Sequence, residues 1–103
     1  MKSRRKPAAS RAVHGEVFDR ADYRCETAIP EVCTSPAGIG MHLHHRKIRS
    51  QGGENTYGNL LALCAACHSY IHLHPAKSYA MGWLVHGWDD PLLVEVQSHR
   101  RDR

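Results

Sequence analysis

The chain has 103 residues, enough for one domain but with little room for a second. With one Phe and two Trp for the core, a metal ion or disulfide bonds are expected to stabilise it. The net charge of +4 favours a polyanionic partner, and no apolar run reaches the roughly 18 residues of a membrane-spanning helix.

Basic residues dominate the start of the chain. Residues 1–7 hold four basic side chains and no acid, so we expect a flexible arm that attracts polyanions. A merely solubilising tail is the alternative. No apolar stretch follows these basic residues, so we expect no secretory signal and a cytoplasmic location, where thiols stay reduced.

A helix is predicted over residues 8–24, because Val13, Val17 and Ala21 recur at helical spacing. The central unit is predicted to span residues 25–74. It starts with a loop rich in proline, glycine and cysteine, which a ligand is expected to organise.

The rest of the central unit reads as strand, loop, strand and helix. The pattern predicts strands at 41–48 and 60–63 and a helix at 65–74, which Pro75 ends. Residues 75–103 form a C-terminal extension with a basic tail. Within it, residues 82–85 and 92–96 are expected to form a β-hairpin-like segment.

Aromatic side chains are concentrated in this extension. Tyr79, Trp83 and Trp88 are expected to pack in the core, with a protein interface as the alternative.

Cys64 and Cys67 form a C-x-x-C pair, a spacing that lets two sulfurs face one metal ion. With Cys25 and Cys33 they predict a closed, structural zinc site of four thiolates. Seven residues separate Cys25 from Cys33, which is wider than in most zinc knuckles. A nearby histidine in place of Cys33, or four free buried thiols, are the alternatives.

The stretch from Cys64 to His68 also matches the attachment pattern for haem c. Covalent haem attachment normally follows export, and no export signal is visible. A haem site would also leave Cys25 and Cys33 without a role, so we prefer the zinc interpretation.

Two histidine pairs have spacings that suit a second metal site. His68 and His72 lie four residues apart on the predicted helix and therefore project from one face. His44 and His45 are adjacent on a strand, so their side chains point to opposite sides. One can bind a metal ion while the other stays free to accept a proton from water.

These residues occur in an order that resembles the HNH endonucleases, and the resemblance covers residues 25–74. It rests on the following motif residues: His44-His45-Arg46, Ser50-Gln51-Gly52-Gly53, and Asn59 followed by Leu60-Leu61-Ala62-Leu63-Cys64-x-x-Cys67-His68-x-x-x-His72. It implies an α+β fold with a small ββα-metal core (HNH, or His-Me finger), stapled by the structural zinc. The small HNH proteins of bacteriophages and actinobacteria look most similar.

The resemblance also implies roles for individual residues. His45 matches the general base, and His44, His68 and His72 match the ligands of a catalytic divalent metal ion. Asn59 matches the asparagine that holds the loop and helps orient the base. This ligand set contains no carboxylate, so the metal is left open among Mn²⁺, Ni²⁺, Zn²⁺ and Mg²⁺.

The expected activity is therefore hydrolysis of DNA, by nicking or double-strand cleavage. Arg46, Lys47 and Arg49 are expected to contact phosphates, with a solvated strand edge as the alternative. A zinc-bound DNA-binding module without catalysis is the main alternative function. The phage-like resemblance further suggests host cytoplasm as the location and terminase proteins of genome packaging as partners.

Overall fold

A computed structural model describes residues 10–34 and 40–100 of the protein, so the predicted arm at 1–7 and the last three residues lie outside the described part. The helices and strands occur in the order α1 (Arg11–Ala21), β1 (His42–His45), β2 (Leu60–Leu63), α2 (Ala65–Leu73) and α3 (Pro75–Ala80). Two 3-10 turns, Arg49–Gln51 and Pro91–Leu93, complete the structure. The α+β class and the ββα order predicted from the sequence are confirmed.

The two strands form one antiparallel sheet, in which His42 pairs with Leu63 and His44 with Leu61. All four residues of β2 are buried, because both of its faces are covered. Leu61 and Leu63 pack in the cluster that contains α2 residues, whereas Leu60 and Ala62 pack against α1. This double burial explains why β2 reads as a continuous apolar run instead of an alternating one.

Helix α1 begins where the Ser10 side chain accepts a hydrogen bond from the Val13 amide. It buries Val17, Phe18 and Ala21 against the sheet. The guanidinium of Arg20 then donates to both carboxylate oxygens of Glu26, at 2.7 Å each. The predicted N-terminal helix is therefore present and fixed to the core.

Helix α2 ends at Leu73 as expected, but Pro75 also starts a further helix that the sequence analysis missed. Proline suits the first turn of a helix because its missing N–H needs no partner there. The hydroxyl of Ser78 donates to the carbonyls of Ile71 and His74, which fixes α3 against α2. None of the helices within residues 10–34 and 40–100 has the length and apolar character needed to cross a membrane.

The C-terminal extension does not form the predicted β-hairpin. The described residues after Ala80 contain one 3-10 turn and no strand. Arg46 gives a physical reason, since its guanidinium donates to the carbonyls of Gly82 at 2.9 Å, Pro91 at 3.0 Å and Val94. The carbonyls of Gly82 and Val94, which in a hairpin would accept from amides of the opposite strand, accept from this side chain instead.

Candidate active site

The four cysteines predicted to bind zinc lie together, with sulfur atoms within 4.8 Å of one another. None forms a disulfide bond. The sulfurs of Cys33 and Cys64 are 3.8 Å apart. Tetrahedral zinc with Zn–S bonds of about 2.3 Å would place two sulfurs roughly 3.8 Å apart. The cluster can therefore hold zinc with little change, despite the wide Cys25–Cys33 spacing.

Local structure directs these thiols inward. Cys64 occupies the N-cap of α2, and its sulfur accepts a hydrogen bond from the Cys67 amide at 3.4 Å. A hydrogen bond between the Cys25 and Cys67 thiols lowers the pKa of Cys25 and raises the pKa of Cys67. A metal ion would stabilise the deprotonated form of these thiols.

Three histidines form a second cluster, one from β1 and two from α2. One ring nitrogen from each of His44, His68 and His72 lies within 4.8 Å of the others. The strand residue His44 is 1% exposed, whereas His72 is exposed on the helix surface. The structure therefore brings together all three histidines that the sequence assigned to one metal ion.

The orientation of His44 is set by a backbone carbonyl outside the motif. Its Nε2 lies 2.7 Å from the oxygen of Trp83, which can only accept, so Nε2 carries the proton. Nδ1 is therefore the nitrogen available to a metal ion. Burial lowers the pKa of His44 to about 3, and the neighbouring His68 and His72 act in the same direction. The ring stays neutral near pH 7, as a metal ligand must.

His42 is a fourth histidine near this cluster, and the sequence analysis did not single it out. Its Nδ1 lies 2.8 Å from Nδ1 of His68, which leaves Nε2 of His68 to face an ion. In that arrangement His68 donates to His42, because a nitrogen that binds metal cannot also carry a proton. Alternation along β1 is the signal that places His42 and His44 on one side of the sheet.

His45 does not belong to the three-histidine cluster and is partly exposed. Its Nε2 lies 2.7 Å from Oδ1 of Asn55. An amide oxygen only accepts hydrogen bonds, so Nε2 is the protonated nitrogen and Nδ1 keeps its lone pair. Asn55 was missed because it lies in a turn-rich loop, ten residues from His45.

Asn59 is buried and holds the loop between the strands. Its amide oxygen accepts from the Lys47 amide at 2.8 Å, and its amide nitrogen donates to the carbonyls of Lys47 and Glu54. These contacts fix the start and the end of the loop that carries Asn55. Asn59 can thus act on the base through the loop, whereas the direct contact to His45 comes from Asn55.

The three basic residues after His45 differ in their surroundings. Arg46 is 3% exposed, and its guanidinium also donates to the Gly58 carbonyl, so the predicted phosphate contact by Arg46 is wrong. The Lys47 ammonium donates to the Asp89 carbonyl at 3.0 Å. Arg49 lies beside the histidines. Arg46 supports the fold because burying a charged group requires partners for its donors.

One groove joins the metal cluster to the free imidazole. His44, His45, His68 and His72 line an open cavity of about 300 Å³ together with Arg49 and two apolar residues. Its size leaves room for a phosphate group. A larger hollow of about 620 Å³ contains Asn59 and Trp88 but no histidine, so we place the chemistry in the smaller one.

Two antiparallel strands are followed by a helix, and histidines from β1 and α2 form a cluster that could hold a metal ion. The sequence model of the HNH endonuclease family matches residues 30–73. The match confirms the resemblance seen in the motif residues. Neither a curated protein nor a solved structure matches the chain. An HNH domain indicates a nuclease-type function in binding or cleaving DNA.

Proposed function

We propose that the protein is a metal-dependent endonuclease that hydrolyses DNA phosphodiester bonds. The observation that carries the proposal is the groove in which three clustered imidazoles lie next to a fourth, separately oriented one. The alternative function, a DNA-binding module without catalysis, would explain the zinc cluster and the basic residues. It would not explain this second set of histidines.

The surroundings of each residue indicate its role in the proposed reaction. His44, His68 and His72 would hold a divalent ion, which supplies charge neutralisation at the phosphate and the leaving oxygen. His45 accepts a proton from the attacking water at Nδ1, because Nε2 is bound to Asn55. Arg49 lines the same groove and is placed to contact a neighbouring phosphate. The expected products carry a 5′-phosphate and a 3′-hydroxyl, as the family resemblance implies.

The donor set predicts which metal ions support cleavage. Three neutral imidazoles form a softer site than Mg²⁺ prefers, whereas Ni²⁺ and Mn²⁺ accept nitrogen ligands more readily. We expect supercoiled plasmid to be cut faster with Mn²⁺ or Ni²⁺ than with Mg²⁺. Agarose gels over a panel of metal ions measure this, with His72→Ala as the variant that loses a ligand.

Two results would contradict this proposal. A clear Mg²⁺ preference would indicate a different ligand set. Plasmid that is bound but stays supercoiled with every ion would favour the non-catalytic DNA-binding module.

Asn55 is expected to act as a positioning residue for His45. Asn55→Ala should lower the cleavage rate roughly ten- to hundredfold, because the ring loses the partner that fixes its proton on Nε2. Asn55→Asp keeps an acceptor and should retain more activity.

The comparison of the two variants separates orientation from a general loss of structure, because only Asn55→Asp keeps an acceptor for Nε2 of His45. If Asn55→Ala and Asn55→Asp lower the rate equally, Asn55 does not position His45.

A further inference from the structure

Three rings outside the active-site groove form a continuous stack. The centroids of Tyr79 and His86 are 3.9 Å apart with an interplanar angle of 1°. His86 and Trp88 follow at 4.4 Å and 6°. Trp88 ends the stack and is 81% exposed, whereas Trp83 is fully buried. The expectation of core packing therefore holds for Trp83 and is wrong for Trp88.

The stack holds the indole of Trp88 flat. His86 covers one face of the ring, and the high exposure of Trp88 leaves the remaining surface to solvent. A planar aromatic surface of this size favours contact with another planar ring, in offset stacking.

The segment that carries the stack runs beside the loop that follows His45. The Val85 amide donates to the Arg46 carbonyl at 2.8 Å. Gly87 packs against the Gln51 side chain, and the Asp89 carbonyl accepts from the Lys47 ammonium at 3.0 Å. The segment that carries Trp88 is thus fixed against the loop whose residues Ile48 and Arg49 line the active-site groove.

We propose that Trp88 is a stacking platform for an unpaired nucleobase of the DNA strand that enters the active site, an inference that rests on the proposed nuclease function. Aromatic side chains stack on any base, so such a contact tolerates sequence. Asp89 and Asp90 follow Trp88, and their negative charge disfavours a phosphate at this point.

This platform predicts a substrate class. In a continuous duplex each base already stacks on its neighbours, so Trp88 gains a contact only where a base is unpaired. We therefore expect preference for DNA with single-stranded or gapped nucleotides near the scissile phosphate over fully paired DNA.

Intrinsic fluorescence tests the contact without catalysis. The His45→Ala chain, without added metal, is titrated with a single-stranded oligothymidine and with a paired duplex. Because Trp83 is buried and Trp88 exposed, quenching reports mainly on Trp88. We expect quenching by the single strand. Because Trp88→Leu and Trp88→Phe lack the reporting indole, the affinities of all variants are compared by fluorescence anisotropy of a dye-labelled oligothymidine, and adding Trp88→Leu should lower the affinity about tenfold. Trp88→Phe, which keeps a flat ring, should retain most of the affinity.

Leu93→Ala is the matched control, since Leu93 is 83% exposed in the same region. Equal losses of DNA affinity in Trp88→Leu, Trp88→Phe and Leu93→Ala would overturn the stacking platform, and so would the absence of quenching. The exposed surface around Trp88 would then be interpreted as an apolar contact for another protein. If DNA quenches the wild-type protein but no substrate is cleaved, the stacking platform is supported and the nuclease function is rejected. If DNA is cleaved without quenching, the nuclease function is supported and the stacking platform is rejected.

Discussion

Replacing His45 with alanine is expected to lower the rate of DNA cleavage by about 10²- to 10⁴-fold, the usual contribution of a general base. His45 lies in the groove but outside the metal cluster, so the variant should bind DNA and metal as the wild type does. The rate is measured on supercoiled plasmid, and DNA binding by gel shift. Added free imidazole should restore part of the activity, because the partly exposed site admits a small molecule.

His74→Ala is the matched control for this experiment. His74 is an exposed histidine at the end of α2, where its Nδ1 lies 3.0 Å from the Tyr70 carbonyl. It belongs to neither metal cluster, and its loss should leave cleavage unchanged. If the His45→Ala protein cuts plasmid at the wild-type rate, His45 is not the general base.

Removing the zinc site is expected to have the largest effect on stability. Cys67→Ala takes away a fully buried ligand, and structural zinc sites of this kind contribute on the order of 10 kcal/mol of binding free energy to folding. In so small a domain the variant should not fold cooperatively at 37 °C. Circular dichroism during heating measures the transition, and elemental analysis should find one zinc ion per wild-type chain.

Chelation gives an independent measurement of the same property. Zinc removal from the wild type should lower its melting temperature, and added Zn²⁺ should reverse the change. A Cys67→Ala protein with the wild-type melting temperature, together with a zinc-free wild type, would instead support four free buried thiols. Because His45→Ala should keep its zinc, loss of activity in the two variants has distinguishable causes.

Much of the core could be predicted from the sequence because its signals are local. A short apolar run marks β2, and the i, i+4 spacing of His68 and His72 places both on one helix face. The C-x-x-C pair likewise identifies a metal knuckle within four residues. In each case neighbouring residues define both the structure and its chemistry.

Other features depend on contacts between distant residues and left no such signal. Arg46 looks like a DNA contact in the sequence, yet three of its acceptors lie 36 to 48 residues away. The hairpin prediction was wrong for the same reason. The strand propensity of residues 82–85 and 92–96 carries no information about the Arg46 guanidinium, which binds the carbonyls of Gly82 and Val94. Asn55 and His42 also became visible only once the loop and the sheet brought them to their partners.

The contacts of His44 and Arg46 determine the shortest segment of the chain that could be fused to another protein and keep this site intact. The family-matched stretch 30–73 excludes Cys25, the Trp83 carbonyl that orients His44, and three of the four carbonyls that receive Arg46. Excised alone, it would keep the recognisable motif but lack one of the four cysteines, and the Arg46 guanidinium next to His45 would lose most of its acceptors. Fusion to another protein should therefore carry at least residues 10–100.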